Sequence, residues 1–154
     1  MPAVTQEPVA PSLMTNNYNL QRFIDAQQDS YEKALIEIKN GRKQTHWMWY
    51  IFPQIKGLGY SETSKYYAIE NLEEATQYLQ HNPLGNRLID ISTALLDIKG
   101  KMAYQIFGSP DDSKLKSCMT LFNEVKNTNE VFGMVLSNYF EGKKHSKTLR
   151  LIKA

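Results

Sequence analysis

Cysteine is almost missing from this sequence. Cys118 stands alone, so no disulfide can close within the chain, and a reducing compartment is the expectation. Histidine is nearly as scarce: His46, His81 and His145 lie far apart, with no cysteine or acidic ligand pattern around them, so no metal site is expected. Long apolar runs are absent too, and nothing approaches the ~18 consecutive residues of a spanning helix, which excludes a membrane partner. Charge of one sign is not in excess. With 18 basic and 16 acidic residues the net charge is +2, far from the basic balance of a dedicated nucleic-acid binder, so nucleic acid is disfavoured as a partner. Neither a Gly-x-Ser-x-Gly elbow nor a Walker loop occurs, and no cofactor is expected. Residues 1–17 lack a basic patch followed by an apolar stretch, so they do not read as a signal peptide, and a cytoplasmic location is expected.

What is present is patterned for packing. A chain of 154 residues suits one domain that buries roughly two-thirds of its unfolded surface. Hydrophobic residues at 42% and charged ones at 22% are ordinary for a folded globule. Pro2, Pro8 and Pro11 interrupt the first segment, so residues 1–17 read as a flexible tail and 18–154 as a single helical domain. From Asn19 the apolar spacing is helical. Leu20, Phe23, Ile24, Tyr31, Leu35 and Ile38 recur at steps of three, four or seven, with an Asp29/Glu32 capping box and a stop at Gly41. Thr45 is a candidate cap for the segment that Pro53 ends. A short helix carrying Tyr66, Tyr67 and Ile69 follows, then one opened by Asn71 and Glu74 with Leu72, Ala75 and Leu79 inward. Leu84, Leu88, Ile91, Leu95 and Ile98 form a further stripe, and Leu115, Cys118, Met119, Phe122 and Val125 another. A last pair of helices spans Glu130–Phe140 and His145–Lys153. No alternating strand of convincing length appears. The expectation is an all-α single domain of about eight helices.

Two segments carry the chemistry. His46-Trp47-Met48-Trp49-Tyr50-Ile51-Phe52-Pro53-Gln54 contains both tryptophans and one histidine. As a helix starting near His46 it is apolar all round, which suits core, and Trp47, Met48, Ile51 and Phe52 read so. His46, Trp49 and Tyr50 share a face; an imidazole beside an indole and a phenol could line a site for a flat or sugar-like ligand, with the Gln54 amide pointing into the same space. Gly57-Leu58-Gly59 just beyond reads as a turn, or as backbone that a ligand can approach closely. The second segment is Ser109-Pro110-Asp111-Asp112-Ser113-Lys114, read as a helix start with Ser109 at the cap, Pro110 in the first turn and acids where the macrodipole favours them. Those acids would repel a phosphate. They could instead pair with Lys114 and Lys116, accept hydrogen bonds from ribose hydroxyls, or supply a general base. Cys118, on an apolar stripe, reads as inert, and His145 lies in a basic, solvated stretch.

Gly41-Arg42-Lys43 with the aromatic segment and Gly57-Leu58-Gly59, then Ile106-Phe107-Gly108-Ser109-Pro110-Asp111-Asp112 with Lys114-Leu115, Ser117 and Met119-Thr120-Leu121-Phe122, resemble the domain-of-unknown-function 1810 family. Tyr139-Phe140, Gly142 and Thr148-Leu149 fit as well, so the likeness covers nearly the whole domain. It implies a small, mainly helical protein with no established activity, whose members sometimes carry a calpastatin-like label. Nothing here supports that label, because a chain of that kind is disordered and repetitive. The polar positions that the resemblance implies are His46, Gln54, Ser109, Asp111, Asp112 and Lys114. The resulting expectation is a pocket for a small molecule, a nucleotide or an ADP-ribose-like compound. His46, Asp111 and Asp112 would be its acid/base or hydroxyl-accepting groups, and Trp49, Tyr50, Gln54, Ser109 and Lys114 its binding groups. The alternative is a non-catalytic interaction module or homodimer in which the aromatic segment is only core.

Overall fold

A computed structural model describes residues 18–153; the expected tail at 1–17 lies outside the described residues. Ten helices follow in order: α1 Gln21–Gln27, α2 Tyr31–Lys39, α3 Met48–Ile51, α4 Glu62–Tyr66, α5 Leu72–Gln80, α6 Leu84–Leu96, α7 Ala103–Phe107, α8 Asp111–Asn123, α9 Val131–Phe140 and α10 Ser146–Lys153. Ten rather than eight arises because α3, α4 and α7 are each only four or five residues long. The nearest thing to a strand among the described residues is a single parallel bridge between Ile55 and Ile69. Ile69, expected in a helix, is instead held by that bridge, its N–H donating to the Gln54 carbonyl at 2.8 Å.

Helix α8 is the centre. It packs against α5, α7, α9 and α10, while α6 packs against α2, α5 and α9. A helix with neighbours on all sides must be buried all round. Leu115, Ser117, Cys118, Met119, Thr120, Leu121 and Phe122 are accordingly all buried, which is more than the expected stripe. The α6 stripe of Leu84, Leu88, Ile91 and Leu95 is buried as its spacing predicts, whereas Ile98 falls past the end of the helix. Gly85 in α6 is required by contact, because a Cβ there would strike the Leu79 carbonyl at the end of α5.

Three helix starts differ from expectation. Ser30, not Asp29, precedes α2 and makes no side-chain cap bond. Asn71 does cap α5, accepting the Glu74 N–H at 2.9 Å, but the returning Glu74 carboxylate takes the Glu70 N–H at 2.7 Å. Its other oxygen is drawn to Arg22 at 3.0 Å. Thr45 does not cap α3. Its N–H and hydroxyl both donate to Glu37 at 3.1 and 2.7 Å, so the helix begins only at Met48.

Candidate functional site

The aromatic segment sits where it does because of Glu37. This carboxylate, on the inner face of α2, is 7% exposed and accepts four hydrogen bonds. They come from the Gln44 N–H at 2.7 Å, the Thr45 N–H and hydroxyl, and the Trp47 indole N–H at 2.9 Å. Burial pushes its pKa up, but the donors outweigh burial and hold it down at about 2. Gly41, with φ +82°, makes the turn that brings residues 42–47 back across α2. Trp47, Met48, Ile51 and Phe52 are then core, as their pattern predicts.

That core joins the two motifs. The Trp47 ring lies 6.1 Å from Phe52 and 6.4 Å from Phe107, and Phe52 lies 5.9 Å from Phe107, edge-on. Phe107 ends α7, directly before the Gly108–Lys114 segment. Backbone confirms the seam, with the Lys43 N–H donating to the Ile106 carbonyl at 2.7 Å. Above it, charge links the motifs a second time. The Lys43 ammonium meets Asp111 at 3.0 Å, the other Asp111 oxygen meets Lys114 at 3.3 Å, and the Lys114 ammonium lies 4.9 Å from the centre of the Trp49 ring. The aromatic segment and the Ser109–Lys114 segment therefore touch, through Lys43–Asp111 and Lys114–Trp49.

Trp49 also lines a cavity of about 510 Å³. Gln54, the Gly57-Leu58-Gly59 loop, Tyr60 and Tyr67 border it, with Lys56, Ser64 and Lys65 among the polar groups. Among the described residues, neither the Trp49 indole N–H nor the Gln54 side-chain amide makes a hydrogen bond. Gly57 is favoured by its left-handed backbone and Gly59 by contact with protein. A Cβ on Gly57, whose φ is +109°, would lie 3.1 Å from a Leu151 methyl, and one on Gly59 would sit on the Ser64 side chain. The loop is therefore packed between α4 and α10.

The other expected site residues are placed as follows. His46 precedes α3, is exposed, and contributes its carbonyl to the Tyr50 hydroxyl at 3.4 Å. Because α3 starts at Met48, Trp49 and Tyr50 diverge. Tyr50 turns to the Ser30 hydroxyl at 3.1 Å and to the Tyr67 ring at 5.2 Å, so it stands behind the cavity wall. Ser109 is exposed and does not cap α8; Pro110 holds that position, and the Gly108 carbonyl takes the Asp112 N–H at 2.9 Å. The Asp112 carboxylate is half-buried and accepts the Ser113 N–H at 2.8 Å. Of the expected binding residues, Trp49 and Gln54 line the cavity and Lys114 lies over the Trp49 ring; Asp111, expected as an acid/base or hydroxyl-accepting group, is paired with that lysine. Cys118 is fully buried, and burial pushes its thiol well above the ordinary range, consistent with the inert role expected of it.

The DUF1810 family, described as a protein of unknown function, matches residues 17–152. The chain belongs to the DUF1810 family. Among solved structures it is similar to the conserved hypothetical protein Rv1873 from Mycobacterium tuberculosis, at 40% identity over 90% of this chain and 99% of that one, with a TM-score of 0.88. No curated protein matches. The fold is thus shared across nearly the whole domain.

Sequence reasoning passed over Glu37, Arg22 and Gln27. Glu37 had a signal, since it falls within the buried spacing of Tyr31, Ala34 and Ile38 on α2. Arg22 and Gln27 tie α1 to distant partners. Arg22 reaches the Tyr66 and Ala68 carbonyls at 2.7 and 2.8 Å, and Gln27 reaches the Tyr50 carbonyl at 2.8 Å and the Tyr78 hydroxyl at 2.9 Å.

Proposed function

We propose that the cavity beside Trp49 binds a small, flat ligand bearing an anionic group, of the nucleotide or ADP-ribose type. Its volume falls within the range of ligand sites, about 300–1,000 Å³. Trp49, Tyr60 and Tyr67 offer aromatic surface, and base–aromatic stacking is worth ~1–3 kcal/mol per base. The Trp49 N–H and the Gln54 amide are polar groups with no partner among the described residues, and Lys56 and Lys65 supply positive charge. The observation that carries this reading is the position of Trp49, with Lys114 over its ring and the cavity beside it. Asp111 is then a positioning residue: it holds Lys114, which holds the indole. A catalytic role for His46, Asp111 or Asp112 is a separate proposal, checked by turnover of whatever ligand is found.

The test is thermal-shift screening against nucleotides and ADP-ribose, wild type beside Trp49→Ala. Trp49 is half-buried, and far-ultraviolet circular dichroism checks that the variant keeps its fold. A compound that raises Tm in the wild type, fails to do so in Trp49→Ala and acts weakly on Gln54→Ala identifies the site. Equal shifts in wild type and Trp49→Ala overturn the reading. No shift from any compound favours the interaction module, with Trp47, Met48, Ile51 and Phe52 as core alone.

A further inference from the structure

A second concave feature shares no lining residue with the cavity beside Trp49. Three hollows of about 620, 550 and 310 Å³ meet around Lys101. The first two share Arg42, and the first and third share Asn40, so they form one branched groove along α2 and the start of α7. Cations border it throughout. Arg42, Lys33 and Lys39 make no side-chain hydrogen bond or ion pair among the described residues, and Lys101 is held in place by the Gly41 carbonyl at 2.9 Å. Of the five cations on the groove, Lys43 is taken by Asp111; of the two carboxylates, Glu37 already has its oxygens turned to four donors of its own chain, which leaves Asp97 to oppose the other four cations.

The groove is also apolar in an unusual way. Ile36, Met102 and Tyr104 are 58%, 64% and 59% exposed; Ile36 and Tyr104 line it and Met102 lies between Lys101 and Ala103. These are three of the six large apolar side chains that are exposed among the described residues. We infer that this groove is a docking surface for an acidic segment of a partner protein that alternates carboxylates with aliphatic side chains. Charge complementarity selects the anion. The exposed Ile36 side chain on the groove favours a peptide over a nucleic acid, which has no aliphatic group to lay against it and would find only Tyr104 to stack on. Branching over three joined hollows suits an extended chain better than a compact metabolite.

Fluorescence anisotropy with three labelled probes tests this: a peptide alternating Glu and Leu, an all-Glu peptide, and an oligo-dT strand. The alternating peptide should bind about tenfold tighter than the all-Glu peptide. Arg42→Glu should weaken it about tenfold, Ile36→Ser should reduce it severalfold while leaving all-Glu binding unchanged, and Trp49→Ala should have no effect. Arg42 and Ile36 are exposed, so both variants fold, and circular dichroism checks this. Equal binding of the two peptides, tighter binding of oligo-dT, or indifference to Arg42→Glu each overturns the inference.

Discussion

Glu37 shows how a single carboxylate can position a whole segment. Four donors converge on it from Gln44, Thr45 and Trp47, and none of them lies on its own helix. Replacing it with glutamine removes charge from every one of these bonds and places an NH2 where a donor already points. The expected loss is about 2 kcal/mol, read from urea unfolding at pH 7. The pH dependence has a defined sign. The folded carboxyl titrates near 2 and the unfolded one near 4.5, so the unfolded chain binds its proton first as pH falls. The stabilisation is complete above about pH 4.5 and fades towards pH 2. Unfolding titrations from pH 6 to pH 3 should show wild type losing this advantage while Glu37→Gln changes less. At Trp49 the expectation is reversed. Trp49→Ala should cost ligand binding and little stability, since the side chain is half-buried and its N–H has no partner among the described residues.

Helix α10 depends on a histidine that the sequence presents only as part of a basic stretch. The His145 ring nitrogen Nδ1 lies 2.8 Å from the Thr148 hydroxyl and accepts the Thr148 N–H at 3.3 Å, which makes it the cap of the helix. Thr148 in turn meets Ser117 of α8 at 2.8 Å. Burial, then Lys116, Lys147 and Arg150, lowers the His145 pKa below 6.5. A proton on Nδ1 would abolish the acceptor. Here too the unfolded chain takes the proton first, so the cap is fully effective above pH 6.5 and is lost as pH falls below it. Between pH 8 and pH 5 the wild-type Tm should fall more than that of His145→Asn, whose amide oxygen keeps accepting; the difference corresponds to about 1 kcal/mol. Helices with long apolar stripes, such as α6 and α8, were legible in the sequence because periodicity reports burial directly. The short ones were not. The start of α3 depends on Glu37 claiming Thr45, and the start of α8 on Pro110 rather than Ser109, and neither choice has a local pattern.

The core runs without a break from Phe23 in α1 to Leu136 in α9, so unfolding should be one cooperative event. Tryptophan fluorescence, which reports the aromatic segment, and far-ultraviolet circular dichroism, which reports all ten helices, should give the same midpoint. Phe107→Ala, at the seam between the motifs, should cost about 3 kcal/mol and loosen the packing of Trp47 and Phe52, read from urea unfolding. That two motifs so far apart in sequence would meet was foreseeable only as a question, since the contacts between them, Phe107 on Trp47 and Phe52, Lys43 with Asp111 and Lys114 over Trp49, have no local pattern that pairs them. Which residues line the cavity was less legible still, because the Gly57-Leu58-Gly59 loop is shaped by a side chain from the far end of the domain. Leu151 fills the space that a Cβ on Gly57 would need. The backbone that borders the cavity at Gly57 is therefore packed against a residue outside its lining, so a smaller side chain at position 151 should loosen this loop while leaving unchanged every residue that a ligand bound there would touch.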